Sequence, residues 1–432
     1  MNTPRFKLST RFSLIAALAA GAVAGLLGGC DASLPAQSGR SGASLASRGM
    51  PANLRDPRTR GPAFAETNGG QFAVDMFLQV NWPALPGYRG RQDVSARIGK
   101  PTPTVWETFK NSSEIYRPRG AVPPTWETVA ELPAGVIPPT PAQLAQWFGP
   151  ADSAWLHFLA ENRMIDGQQV VDARTNILRY DVRCNEDHFN YVVKNRYPLF
   201  NLEGQRQALA DPNFTFSFPS NAVEVKAAWR VLGTNDDASR YWTAYGAFYN
   251  QSNQLTYARI GLTAFHVISR VLPDWVWLTY EQADIGTNTY QYFLQEKGAA
   301  VGPNPTVNPQ AAAYNQQLRQ ITVGTKWQNY RIVGWQTAMT AGGQPTLLAN
   351  MNIETYFPRT SSCMSCHDMA NIGPAAMPRL NLWNTAGGDI VGRVGTINFP
   401  AIAKQLAPQY TFKQMDYVWS LQQAQSTNAP QK

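Results

Sequence analysis

Residues 256–269 read "TYARIGLTAFHVIS", and the way these fourteen positions are interpreted decides what the rest of the chain can be. β-Branched and aromatic residues recur through the stretch with an alternating pattern, which suits a half-buried strand better than a helix. Related runs surround it: "NILRYDVR" (176–183), "AVEVKAAWRVL" (222–232), "YWTAYGAFYN" (241–250), "DWVWLTY" (274–280) and "QNYRIVGWQTAM" (328–339). Turn chemistry such as "LGTNDD" (232–237) and "NQSNQ" (250–254) separates neighbouring runs. Strands this closely spaced leave no room for crossover helices, so they pair antiparallel. The expected fold class is α+β: a β-rich antiparallel sandwich or barrel-like body with peripheral helices and a C-terminal helical segment.

Outward from these strands, helical signals take over. "FAVDMFLQVNWPA" (72–84) reads as a buried helix ending near Trp82-Pro83. Thr140 and Pro141 supply an N-cap and a first-turn proline before "AQLAQWF". "SAWLHFLAENRM" (153–164) has a helical period, which puts His157 on a helix, while His188 falls in a loop. "TVWETF" (104–109) and "TWETV" (125–129) echo each other without forming a repeat. Near the C-terminus, Thr411 and Gln414 fit a capping box, with Phe412, Met415, Val418 and Trp419 on one helical face.

The N-terminus carries an address. Arg5, Lys7 and Arg11 precede a short apolar run, Ser13 to Leu27, that ends in Leu27-Gly28-Gly29-Cys30. This is the pattern of a secretory signal, too short for a lasting transmembrane helix. The block resembles a bacterial lipobox, so Cys30 is the expected lipidation site and residues 1–29 the signal peptide. Asp31 resembles an inner-membrane retention signal. Ser, Ala, Gly, Pro and Arg dominate from Cys30 to residue 68, a composition expected of a flexible tether. Residues 69–345 then form the β-rich body and residues 346–432 a haem c segment.

That last assignment rests on "SSCMSCHDMA" (361–370). The chain has 4 Cys and 4 His, and three of these eight fall within Cys363-Met364-Ser365-Cys366-His367. C-x-x-C-H is the spacing of c-type haem attachment, with two thiols for the vinyl groups and an imidazole for the iron. A zinc site needs four ligands, and no second C-x-x-C or His-x₃₋₅-His pair accompanies this one. No βαβ context for a thioredoxin-like redox pair is apparent either. Export supports the haem reading, because haem is attached to c-type cytochromes outside the cytoplasmic membrane. With Cys30, Cys363 and Cys366 assigned, Cys184 remains, and a lone cysteine reads as a small buried hydrophobe.

Composition bounds the function. The formal charge of +8 drops by three when Arg5, Lys7 and Arg11 leave with the signal. Without a Lys/Arg run, nucleic acid is not an expected partner. G-x-S-x-G, Walker and Rossmann fingerprints are absent from the sequence.

The ordered set "FLQVNWPA", "VWETFK", "EVKAAWRVL", "AFHVISRVLPDWVWLTYEQAD" and "SSCMSCHDMA" resembles uncharacterised bacterial exported proteins of the cytochrome c family. The resemblance implies a β-rich body fused to a haem segment, and implies no particular activity. The C-terminal part also resembles a shortened class I cytochrome c, so the body is expected to supply part of the haem wall. Two residues compete for the sixth iron position. Met377 in "AAMPRL" resembles an axial methionine loop but lies only ten residues past His367, whereas His266 projects from a strand face shared with Leu262, Ala264 and Ile268. Met369 is too close to His367, and Met415 suits core packing. The expected cofactor is one covalent haem c. The expected partners are a membrane, reached through the lipid, and a periplasmic redox partner. The expected function is electron transfer at the periplasmic face. The alternative is a peroxidase- or oxygenase-like haem enzyme with its pocket between body and haem.

Overall fold

Strand-forming residues govern the centre of the molecule, where each of the six quoted stretches contributes a strand to one sheet. Its members are β1 (Lys110–Asn111), β2 (Leu156–Phe158), β3 (Leu178–Cys184), β4 (Val223–Val231), β5 (Thr243–Tyr249), β6 (Leu255–Ser269), β7 (Val276–Gln282) and β8 (Tyr330–Gln336). The computed structural model describes residues 56–159, 177–283, 307–354, 361–380 and 394–428, with short pieces at 164–165, 168–169, 285, 290–291 and 300–301. Cys30, the signal segment and most of the expected tether lie outside the described residues. The described part of the tether is not featureless: Pro57–Arg60 and Pro62–Thr67 are helical turns, and Arg60 pairs with Asp75 at 3.0 Å.

Strand order is β1-β3-β4-β6-β5-β2, with β7 and β8 branching from β6. Every pairing is antiparallel except β2 with β5. The branch arises because β6 is 15 residues long. One of its edges pairs with β4 from Ile260 to Ser269. The other edge is divided, Leu255–Gly261 pairing with β5 and Ala264–Ser269 with β7. The antiparallel β-rich body therefore stands, but the sheet is open and not a closed barrel. Among the described residues the remaining sheets are two-stranded ribbons, so no second layer makes a sandwich.

Helices accompany the sheet: α1 (Gly69–Asn81), α2 (Pro141–Phe148), α3 (Glu186–Lys194), α4 (Leu202–Ala210), α5 (Ala311–Thr322), α6 (Cys363–His367) and α7 (Phe399–Leu406). α1 ends at Trp82, and α2 has the capping box of Thr140 and Gln143 with Pro141 in its first turn. Phe77 of α1 meets Phe265 of β6, Tyr280 of β7 and Trp327 at ring separations of 5.9, 5.3 and 5.6 Å. The start of α1 requires glycine. A Cβ on Gly69 would lie 2.3 Å from Trp335, and one on Gly70 would lie 2.1 Å from Tyr314.

Two helical expectations fail. Leu156–Phe158 is a strand, and its backbone pairs with Tyr245–Ala247. Short apolar runs fit either period, and here the sheet edge supplies hydrogen bonds that the local pattern does not reveal. Lys413–Gln414 is also extended, as β10, paired with β9 (Asn371–Ile372). Only Trp419–Gln423 is helical there, as a 3₁₀ turn.

Strand geometry puts His157 at 0% exposure inside a charged cluster. Its Nδ1 lies 2.9 Å from Asp181 Oδ2 and its Nε2 lies 3.1 Å from Glu107 Oε1. Arg183 donates to Asp181 at 2.6 Å and to both Glu131 oxygens at 2.8 Å. Trp229 and Trp242 donate to Asp181 and Glu107 at 2.9 and 3.1 Å. Burial and the Arg183 charge pull the His157 pKa down, but the two carboxylates outweigh them and hold it above its usual 6.5. Asp181 is also opposed by burial, yet Arg183 and His157 bring it to about 2.

These shifts define a pH window. A raised histidine stabilises fully below the unfolded value of 6.5 and loses that contribution as pH climbs through its folded pKa. A depressed aspartate contributes above its unfolded 3.8 and loses the contribution as pH falls towards 2. His157→Ala should cost about 3–5 kcal/mol by stranding buried carboxylates. Urea titrations across the pH range should show the wild type losing stability as pH rises above 6.5 and the variant lacking this step.

Candidate functional site

Cys363-Met364-Ser365-Cys366-His367 forms α6, with Ser362 as its N-cap. The end of β8 holds the helix in place: Gln336 donates to Ser362 Oγ at 2.7 Å and accepts from Met364 N at 3.1 Å. Ser365 Oγ donates to the Gly395 carbonyl at 2.7 Å. A spacing of three places Cys363 and Cys366 on one helix face. Cys363 is buried and Cys366 half-buried. Burial, followed by the charges of Glu354 and Cys366, pushes the Cys363 thiol well up.

His367 closes the helix with Nδ1 2.8 Å from the Tyr417 carbonyl oxygen. A carbonyl only accepts, so Nδ1 carries the proton and Nε2 keeps its lone pair. Burial lowers the His367 pKa to about 3 despite the Tyr417 contact, so the ring is neutral at ordinary pH. The charges of Lys226 and His266 add to the lowering and Glu354 opposes it, which brings strands β4 and β6 into electrostatic reach of the ring. Trp277 of β7 packs on the imidazole at 4.4 Å between ring centres, and Trp419 lies at 6.4 Å. Trp419 also donates to the Cys366 carbonyl at 3.2 Å.

The turn that presents Tyr417 is costly. Asp416 and Tyr417 have φ values of 47° and 68°, and Val418 N donates to Met415 O at 3.0 Å. Consecutive left-handed residues inside such a bond are the mark of a type I′ turn, where glycine or asparagine is the usual choice. Side chains hold it closed. Asp416 accepts from Phe218 N at 2.7 Å and from Arg270 Nε at 3.0 Å. Gln414 donates to the Asp368 carbonyl and carboxylate at 2.8 and 2.9 Å. Burial raises Asp368 to about 6. Nothing in the local sequence marks Asp416-Tyr417 as a turn, and the capping-box pattern around it points the wrong way.

His266 lies on β6, opposite Lys226 and Thr279. Its Nε2 is 3.1 and 3.3 Å from the Glu354 oxygens, and its Nδ1 is buried with no hydrogen-bond partner among the described residues. The expected apolar face is interrupted. Register slips opposite Ala228 and Trp229, so Leu262 and Ala264 join different clusters. Met377 sits instead in a tight turn, packed with Met369, Leu380, Phe399 and Trp419. Met415 is fully buried in the main core, as expected. His188 lies in α3 and not in a loop; burial lowers its pKa to about 3, and Phe218 packs on it at 4.5 Å. Cys184 is a buried thiol pushed well up, first by burial and then by Glu224.

No family model, curated protein or solved structure matches the chain.

Asp416→Ala should remove the Phe218 and Arg270 locks on the turn and lower stability by about 1–3 kcal/mol, since Phe218 N and Arg270 lose their acceptor. Chemical denaturation measures the loss, and near-ultraviolet circular dichroism should report altered packing of Trp277 and Trp419.

Proposed function

We propose that the chain is an exported, membrane-anchored cytochrome carrying one covalent haem c and transferring single electrons at the periplasmic face. Cys363 and Cys366 are the attachment thiols, His367 the proximal ligand and Cys30 the lipidated residue. The observation that carries this reading is the Nδ1 contact of His367 with the Tyr417 carbonyl. Metal-bound histidines are oriented by this kind of outer bond, which fixes the tautomer and leaves Nε2 for the metal. The donor set also fits: two thiols share a helix face, and a neutral imidazole follows directly. A haem bound here would supply one-electron iron chemistry, with its potential set by the axial ligands and the surrounding burial.

This chain's residues would do the rest. Trp277 and Trp419 exclude water from the imidazole, while the Asp416–Tyr417 turn fixes its plane. Either His266 or Met377 would complete the iron coordination. The His266–Glu354 pair supports a second reading, a haem enzyme, because a hydrogen-bonded histidine and carboxylate near His367 could hold and move a proton.

Acid-acetone extraction tests the attachment. Haem should stay with the protein, and Cys363→Ala or Cys366→Ala should weaken retention; release into the organic phase would sink the reading. Absorption spectra then separate the distal candidates. Loss of the long-wavelength ferric band in Met377→Ala identifies methionine, whereas low-spin to high-spin conversion in His266→Ala identifies histidine. A high-spin resting protein unaffected by either change favours the enzyme. Processing at Cys30 should be blocked by globomycin.

A further inference from the structure

Away from α6, a cavity of about 730 Å³ opens between the 112–134 region, the sheet edge and the C-terminal segment. That volume falls in the range of small-molecule sites. Tyr116, Leu132, Phe158 and Tyr249 give it an apolar lining, and Arg117 and Arg119 line it as well. Glu131 is the one acidic residue among those lining it, and its charge is already engaged. Its oxygens accept from both Arg183 Nη atoms and from Trp155 Nε1 at 2.7 Å. The two lining arginines are different. Neither guanidinium has a hydrogen-bond or ion-pair partner among the described residues. Arg119 is carried on a left-handed backbone with φ of 57°, its N–H bound to Gln425 Oε1 at 3.1 Å.

Uncompensated cations beside an apolar wall select a ligand with both characters. A carboxylate accepts from arginine, and a hydrocarbon body covers Leu132, Phe158 and Tyr249. We infer that this cavity binds an amphipathic organic anion, of the class of a medium-chain carboxylate. The site is built without any part of α6, so the inference stands independently of the haem reading.

Isothermal titration of the full chain with laurate tests it, using dodecyltrimethylammonium as a probe of equal chain length and opposite charge. Laurate should bind saturably at one site per chain, and the cation should bind at least about tenfold more weakly. The Arg117→Ala/Arg119→Ala double variant should lose at least about tenfold in laurate affinity. Ala134→Trp, which places a bulky side chain at an exposed position in the wall without changing charge, should block binding. Thermal melts of both variants confirm that they are folded. Equal binding of the two probes, unchanged affinity in the double variant, or no saturable laurate heat would overturn the inference.

Discussion

One strand, β6, hydrogen-bonds to three others, and the layout of the molecule depends on its divided edge. A strand with two partners along the same edge must be long enough to serve both, and its 15 residues are. The division sends one arm of the sheet through β5 to β2, and through it His157 into the buried charge cluster. The other arm runs through β7 to β8, which bring Trp277 against His367 and Gln336 to the start of α6. The same strand places His266 between Lys226 and Thr279. Two regions with unrelated chemistry are thereby built from one set of backbone bonds.

The regions treat charge in opposite ways. Around Arg183 the carboxylates of Asp181 and Glu131 are paired and hydrogen-bonded, so ions survive at 0–3% side-chain exposure. Such clusters add little net stability over an apolar packing but penalise any arrangement that breaks them. Around His367 the ring is kept uncharged by burial, with a backbone carbonyl and two tryptophans as neighbours. Neutrality there preserves a lone pair, whereas ionisation in the cluster preserves a geometry.

Much of this was legible in the sequence where residue type and period agreed. The long alternating runs became strands, and the Thr140–Gln143 box with Pro141 became a helix start. The pentad 363–367 formed its helix, and Cys184 was a buried hydrophobe. The failures share a physical origin, since each depended on a distant partner. Leu156–Phe158 had a helical period, but β5 offered it an edge. Thr411–Gln414 had a capping pattern, but Asn371–Ile372 paired with it and Asp416 closed a turn against Phe218 and Arg270. Closure of the sheet was equally hidden, because alternation tells which face a residue occupies and not how many partners one edge will take. Glu354 and Tyr417 carried no local signal at all; they matter only through what they touch.

The carbonyl that orients His367 comes from a residue fifty positions further along the chain. A nascent or truncated polypeptide ending before Tyr417 would contain the whole pentad, yet its imidazole would be free to choose either tautomer and any rotation. The orientation of that ring is therefore a property of the finished fold that the pentad alone does not possess.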